Sequence, residues 1–202
     1  NNWLGKGANV SFDVDASAES LRGTVSYSNP NYDFLGNSIT YRLGSTSNDK
    51  PNQGYENSLL NAGASTTFEQ FKDLYATLGI SASYDDLKTD STASSSLKKQ
   101  SGNFSELVGE YGFSYDKRNR AFMPTAGYVV GFDQSIPLYA DKSFISNRVF
   151  SSLYKEMSEN LVGATKFYFA SVTGLNDEDV RISKRQSLST NRLRGFERNK
   201  VG

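Results

Sequence analysis

Cysteine and histidine are both absent from the 202 residues. That removes disulfide frameworks, metal sites built on thiolate or imidazole, and every triad that relies on a His base. An excess of one charge is missing too. The 22 basic side chains are matched by 22 acidic ones, so nothing singles out nucleic acid or a strongly acidic partner. No apolar run approaches the ~18 residues of a membrane helix, and the longest candidate, 161–172, is interrupted by Thr165 and Lys166. Neither an initiator Met nor a signal-like segment opens the chain, so it reads as an internal piece of a longer protein. Hydrophobic residues reach only 37 %, where a globular domain has roughly 45–50 % with Gly counted.

What is present is aromatic and small polar. Phe, Tyr and Trp make up 13 %, too much for a disordered chain. Period-2 alternation dominates, and helical periodicity is hard to find. Leu74, Ala76, Leu78, Ile80, Ala82 and Tyr84 fall on one face of a strand, with Tyr75, Thr77, Gly79, Ser81 and Ser83 on the other. Ala8, Val10, Phe12, Val14 and Ala16 oppose Asn9, Ser11, Asp13 and Asp15. Leu21, Gly23, Val25 and Tyr27 oppose Arg22, Thr24, Ser26 and Ser28, and 107–115 repeats the pattern with Val108 breaking it. Further strands are expected near 37–45, 57–68, 127–136, 144–156 and 161–173, the span 144–156 being the least regular. About nine strands with no crossover helix give an antiparallel meander.

Connections 4–7, 69–73 and 158–160 read as short, while 46–56 and 88–102 read as long polar loops at the opposite end. Connections 29–36 and 117–126 depart from that division. Trp3, Tyr32, Phe34, Phe71 and Phe122 cluster near the short-turn end, as an interface belt would. The expected fold is all-β, an antiparallel meander forming part of a transmembrane β-barrel, with outward apolar and lumen-facing polar residues. A soluble β-sandwich or a lipocalin-like barrel competes, because both also alternate. The acidic groups 85–86 and 177–179 read as loop acids without the Gly-spaced pattern of a calcium loop. Neither a metal site nor catalysis is expected.

Three segments carry a more specific signal. They are Asn2-Trp3-Leu4-Gly5-Lys6-Gly7, then the run from Asp116 through Phe122-Met123-Pro124-Thr125-Ala126-Gly127, then Leu193-Arg194-Gly195-Phe196. Trp3 with Leu4 suits a lipid–water interface, or a packed turn in a soluble barrel. Pro124 cannot donate a ladder hydrogen bond and belongs just outside a strand that Gly127 begins. Asp116, Arg118 and Arg120 read as a solvated charge cluster in preference to a paired one. In this order and spacing the three segments resemble the C-terminal barrel of outer-membrane protein assembly factors of the bacterial surface antigen family.

The resemblance runs along essentially the whole chain. It implies strands from the family's second onward, followed by the start of a loop that holds the Arg-Gly-Phe motif. It also implies that Arg194 folds back into the lumen and pairs with acids beyond this chain. From the residues alone Arg194 would be a surface Arg on an extracellular loop. The implied function is insertion of β-barrel proteins into a Gram-negative outer membrane. No cofactor is implied. The implied partners are the outer-membrane bilayer, unfolded outer-membrane proteins, and accessory lipoproteins bound through periplasmic domains. Related translocation and assembly factors, two-partner secretion transporters and a porin-like channel remain alternatives.

Overall fold

The computed structural model describes residues 7–176, 179–181 and 184–185. Nine strands follow one another: β1 (Asn9–Ser17), β2 (Ser20–Asn29), β3 (Ser38–Lys50), β4 (Tyr55–Phe71), β5 (Leu74–Thr89), β6 (Gly102–Asp116), β7 (Gly127–Ala140), β8 (Phe144–Ser158) and β9 (Leu161–Gly174). They form a single sheet in chain order, and each pair is antiparallel. A 3-10 turn, Pro51–Gln53, and one helical turn, α1 (Ser95–Lys98), lie in the connections.

Register shows why alternation selects this architecture. Phe12, Val25, Leu43, Ala62, Ala82 and Leu107 lie directly opposite one another across β1 to β6. The adjacent line is Asp13, Thr24, Gly44, Asn61, Ser83 and Glu106. A slip of one residue at any ladder would put apolar and polar lines on the same face, so the pattern pins every register. Among the described residues the apolar face has no second sheet over it, since all nine strands belong to one sheet. Phe12 is 72 % exposed and Leu78 51 %, while the buried hydrophobics among the described residues are Ala8, Ala76, Leu87, Ala93 and Val108. Such a face needs a lipid environment, because an apolar surface this continuous is not left to water.

Several strand ends differ from the sequence reading. Residues 46–50 belong to β3 and 55–56 to β4, which reduces the expected 46–56 loop to a tight turn at 51–54. Their side chains are polar on both faces, so they carry no alternation, yet backbone ladder bonds extend the sheet through them. β5 likewise runs to Thr89, which places Asp85 and Asp86 in a strand and corrects their reading as loop acids. β7 continues past Ile136 because Pro137 sits beside a register shift, where the ladder does not need its missing N–H. Turn length does not separate the two ends. One end holds 18–19, 51–54, 90–101 and 141–143; the other holds 30–37, 72–73, 117–126 and 159–160.

Candidate functional site

The polar face is the inner face, because the segment after β9 folds back onto it. Positions 20, 48 and 57 lie opposite one another across β2 to β4, near the end that carries 90–101, and Asp85 lies diagonally across β5, two residues before Leu87, the register partner of Asn57. Their side chains form a relay. Ser20 Oγ donates to Asn48 Oδ1 at 2.7 Å, and Asn48 Nδ2 donates to Asn57 Oδ1 at 2.7 Å. Asn57 Nδ2 then donates to Asp85 Oδ1 at 3.1 Å. Each amide accepts on one side and donates on the other, so the chain needs an acceptor at its end. An ionised carboxylate, which can only accept, supplies it.

Asp85 is 1 % exposed and is met from above by Arg181, itself 3 % exposed. Arg181 Nη1 lies 3.1 Å from Asp85 Oδ2, and Nη2 lies 3.5 Å from Glu106 Oε2 on β6. The guanidinium stacks on Phe104, with Cζ 4.5 Å from the ring centre. Lys184 completes the cluster. Its ammonium pairs with Glu106 Oε1 and donates to Ser83 Oγ at 3.0 Å. Ser83 Oγ in turn donates to Glu106 at 2.6 Å. Lys184 also lies 5.8 Å from the ring centre of Phe144 on β8. Two acids and two bases thus share one largely dehydrated patch. Removing one member would leave its partner buried and uncompensated, which costs far more than the intact pairs contribute.

Beside the cluster lies a cavity of about 200 Å³ lined by Arg42, Asn61, Ser81, Glu110 and Lys184. Ser81 donates to Glu110 at 2.8 Å. Further round the wall, Asp133 on β7 pairs with Arg148 on β8 at 2.7 Å. Gly112 makes room for that carboxylate, since a Cβ there would lie 2.2 Å from Asp133 Oδ1. The inner face is therefore not uniformly wet. Phe104, Leu87 and Val108 belong to it, and Leu87 and Val108 are buried.

At the other end, the 117–126 turn is heavily braced. Arg118 grips Asp116 with two nitrogens, at 2.9 and 2.6 Å, which corrects the reading of a merely solvated cluster. Hydrogen bonding to that carboxylate raises the Arg118 pKa above its ordinary value. Lys117 pairs with Asp73, and Asn119 accepts from the backbone N–H groups of Thr125 and Ala126. Arg120 Nε donates to the Met123 carbonyl at 2.6 Å, beside a Met123 backbone in the left-handed region at φ 48°. Pro124 and Thr125 lie outside the strands and Gly127 opens β7.

Phe122 and Met123 project from this turn into the open, as do Tyr32 and Phe34 from the 30–37 turn and Phe71 from the last position of β4 at the same end. Trp3 and Leu193, Arg194, Gly195 and Phe196 lie outside the described residues. Sequence reasoning missed Arg181 and Lys184 as partners of Asp85 and Glu106. The one signal was parity: Asp85 keeps step with Ser81 and Ser83, hence shares their inward face.

An apolar outer face and a polar inner face onto which Arg181 and Lys184 fold define part of the wall of a transmembrane β-barrel. The chain belongs to the Omp85 superfamily, whose domain description matches residues 2–202. The family membership expected from the sequence is thereby shown. The fold is similar to the crystal structure of BamA from Haemophilus ducreyi lacking POTRA domains 1-3, with a TM-score of 0.72 and 18 % identity. The match covers 89 % of this chain and 38 % of that one, so this chain spans well under half of the crystallised chain. No curated relative matches the sequence. Family and barrel fold together indicate an outer-membrane protein.

Proposed function

We propose that this chain is part of the barrel of a β-barrel insertase, which assembles other β-barrel proteins into the bacterial outer membrane. The observation that carries the reading is the occupied inner wall. In a passive channel the lumen is a conduit, whereas here the segment after β9 is held against β5 and β6 by buried ion pairs. The likeness to a BamA barrel supports the same choice. The task itself is strand pairing, since an incoming strand cannot enter lipid with bare amides and must find an edge to extend. Residues 1–202 form the wall between the family's second strand and its lumen loop. Leu193, Arg194, Gly195 and Phe196 return into the lumen, where the flat guanidinium of Arg194 grips a carboxylate in two places. Trp3, Tyr32, Phe34 and Phe71 anchor the periplasmic interface, and accessory lipoproteins bind through periplasmic domains of the longer protein.

The test reconstitutes the full-length protein in lipid vesicles and adds a urea-unfolded outer-membrane protein. Faster appearance of heat-modifiable, membrane-embedded client than in protein-free vesicles is expected. Arg194→Ala should lower that rate, with Arg194→Lys restoring it only in part. Transfer of a soluble polypeptide into the vesicle interior without any gain in membrane-embedded client would instead identify an exporter.

A further inference from the structure

We infer that Arg181 and Lys184 form a clasp that positions the segment after β9 against β5 and β6, and that holding it there is a condition for client assembly. The inference rests on the proposed insertase reading and adds the device that sets where the chain re-enters the lumen. The two cations stand three residues apart, so one short stretch of chain delivers both. They meet acids on adjacent strands: Arg181 bridges Asp85 and Glu106, and Lys184 adds a second contact to Glu106. Phe104 fills the space beneath the guanidinium, giving the Arg a flat apolar seat as well as two carboxylates.

Behind Asp85 the amide relay runs back through Asn57 and Asn48 to Ser20, so four strands fix the orientation of that carboxylate. A surface ion pair on a mobile loop has no such backing. The relay makes the receiving site rigid, so the returning segment adapts to the wall. Arg181 Nε has no hydrogen-bond partner among the described residues, which leaves the grip short of complete.

The test uses the full-length protein in lipid nanodiscs with a reporter at Ser83→Cys, beneath Lys184; the chain has no native cysteine to interfere. Labelling by a bulky maleimide should be slow in the parent. In Arg181→Ala/Lys184→Ala it should rise by about tenfold or more, as expected for loss of buried pairs, while heat-modifiable migration of the barrel persists. Client assembly in vesicles should fall in the same variant. It should recover when the side chains of Asp85→Cys and Arg181→Cys, in a chain with native Ser83, are joined by a flexible bis-maleimide. Unchanged labelling would overturn the clasp. Raised labelling with undiminished client assembly would show a structural pin without a positioning role. If the double variant does not fold, Glu106→Gln must give an intermediate rise in labelling, and its absence would also overturn the clasp. Should the parent assemble no client at all, the insertase reading fails, while the labelling still judges whether the segment is held.

Discussion

Two glycines show how differently single positions weigh in this sheet. Gly127 has φ +94°, and a Cβ there would lie 2.1 Å from the Lys117 carbonyl oxygen. That carbonyl belongs to the braced turn, where Lys117 N–H donates to the Tyr128 carbonyl at 2.8 Å. Both the backbone strain and the clash fall on the same substitution. Gly127→Ala should therefore lose at least ~1–3 kcal/mol, read as a lower urea midpoint for unfolding from micelles. Gly23 sits in β2, and a Cβ there would meet nothing within 4 Å, so Gly23→Ala should stay within about 0.5 kcal/mol. Equal losses at the two sites would mean that the turn, not the glycine backbone, yields. Asp85→Ala should be costlier still, by ~3–5 kcal/mol, because it strands Arg181 and the end of the amide relay together.

At the scale of the element, the 30–37 connection shows a turn built around one carboxylate. Asp33 accepts from the backbone N–H groups of Asn37 at 3.1 Å and Leu35 at 3.0 Å, and from Asn37 Nδ2 at 2.7 Å. The Asn37 N–H leads in holding its pKa below the ordinary 3.8. A depressed carboxylate pKa favours the closed turn above the unfolded value, and the benefit is lost as pH falls through the folded one. Carboxyl NMR of Asp33 in micelles should titrate below 3.8, with the turn opening only there. A midpoint at or above that value would show that the turn does not need the charge. Strands were legible wherever one face met lipid, since alternation recurs from β1 to β7. Legibility failed at 46–50 and 85–89, beyond the apolar belt, where the outward positions are polar and the one apolar side chain, Leu87, points inward, so no apolar-out alternation marks the strand. Asp85 was hidden for that reason. Arg181 was hidden for another: its partner lies 96 residues away, and no local pattern reports so distant a contact.

For the whole molecule, the decisive question is where the membrane sits on the sheet. On β5 the outward apolar residues run from Leu74 to Tyr84, and the next outward positions are Asp86 and Lys88. Ten steps at ~3.4 Å, tilted by roughly 45°, span about 24 Å of membrane normal, close to the ~25 Å apolar band of outer-membrane barrels. Asp49 and Glu56 lie across the ladder from Lys88 at the same level, so the charged rim continues over β3 to β5. The belt therefore ends between Tyr84 and Asp86, and the clasp at Asp85 sits just inside that rim, opposite the lipid edge. Arg substitutions along one strand should report this geometry. Leu78→Arg and Ile80→Arg should each cost ~2–4 kcal/mol, falling to ~0–1 kcal/mol at Tyr84→Arg and Asp86→Arg. The measurement is reversible folding of the full-length barrel into bilayers. A profile that is flat from 78 to 86 would place this face in water and remove the membrane-spanning reading. A maximum displaced toward 84 would shift the membrane along the strand and bring Asp85 to the depth of the lipid core.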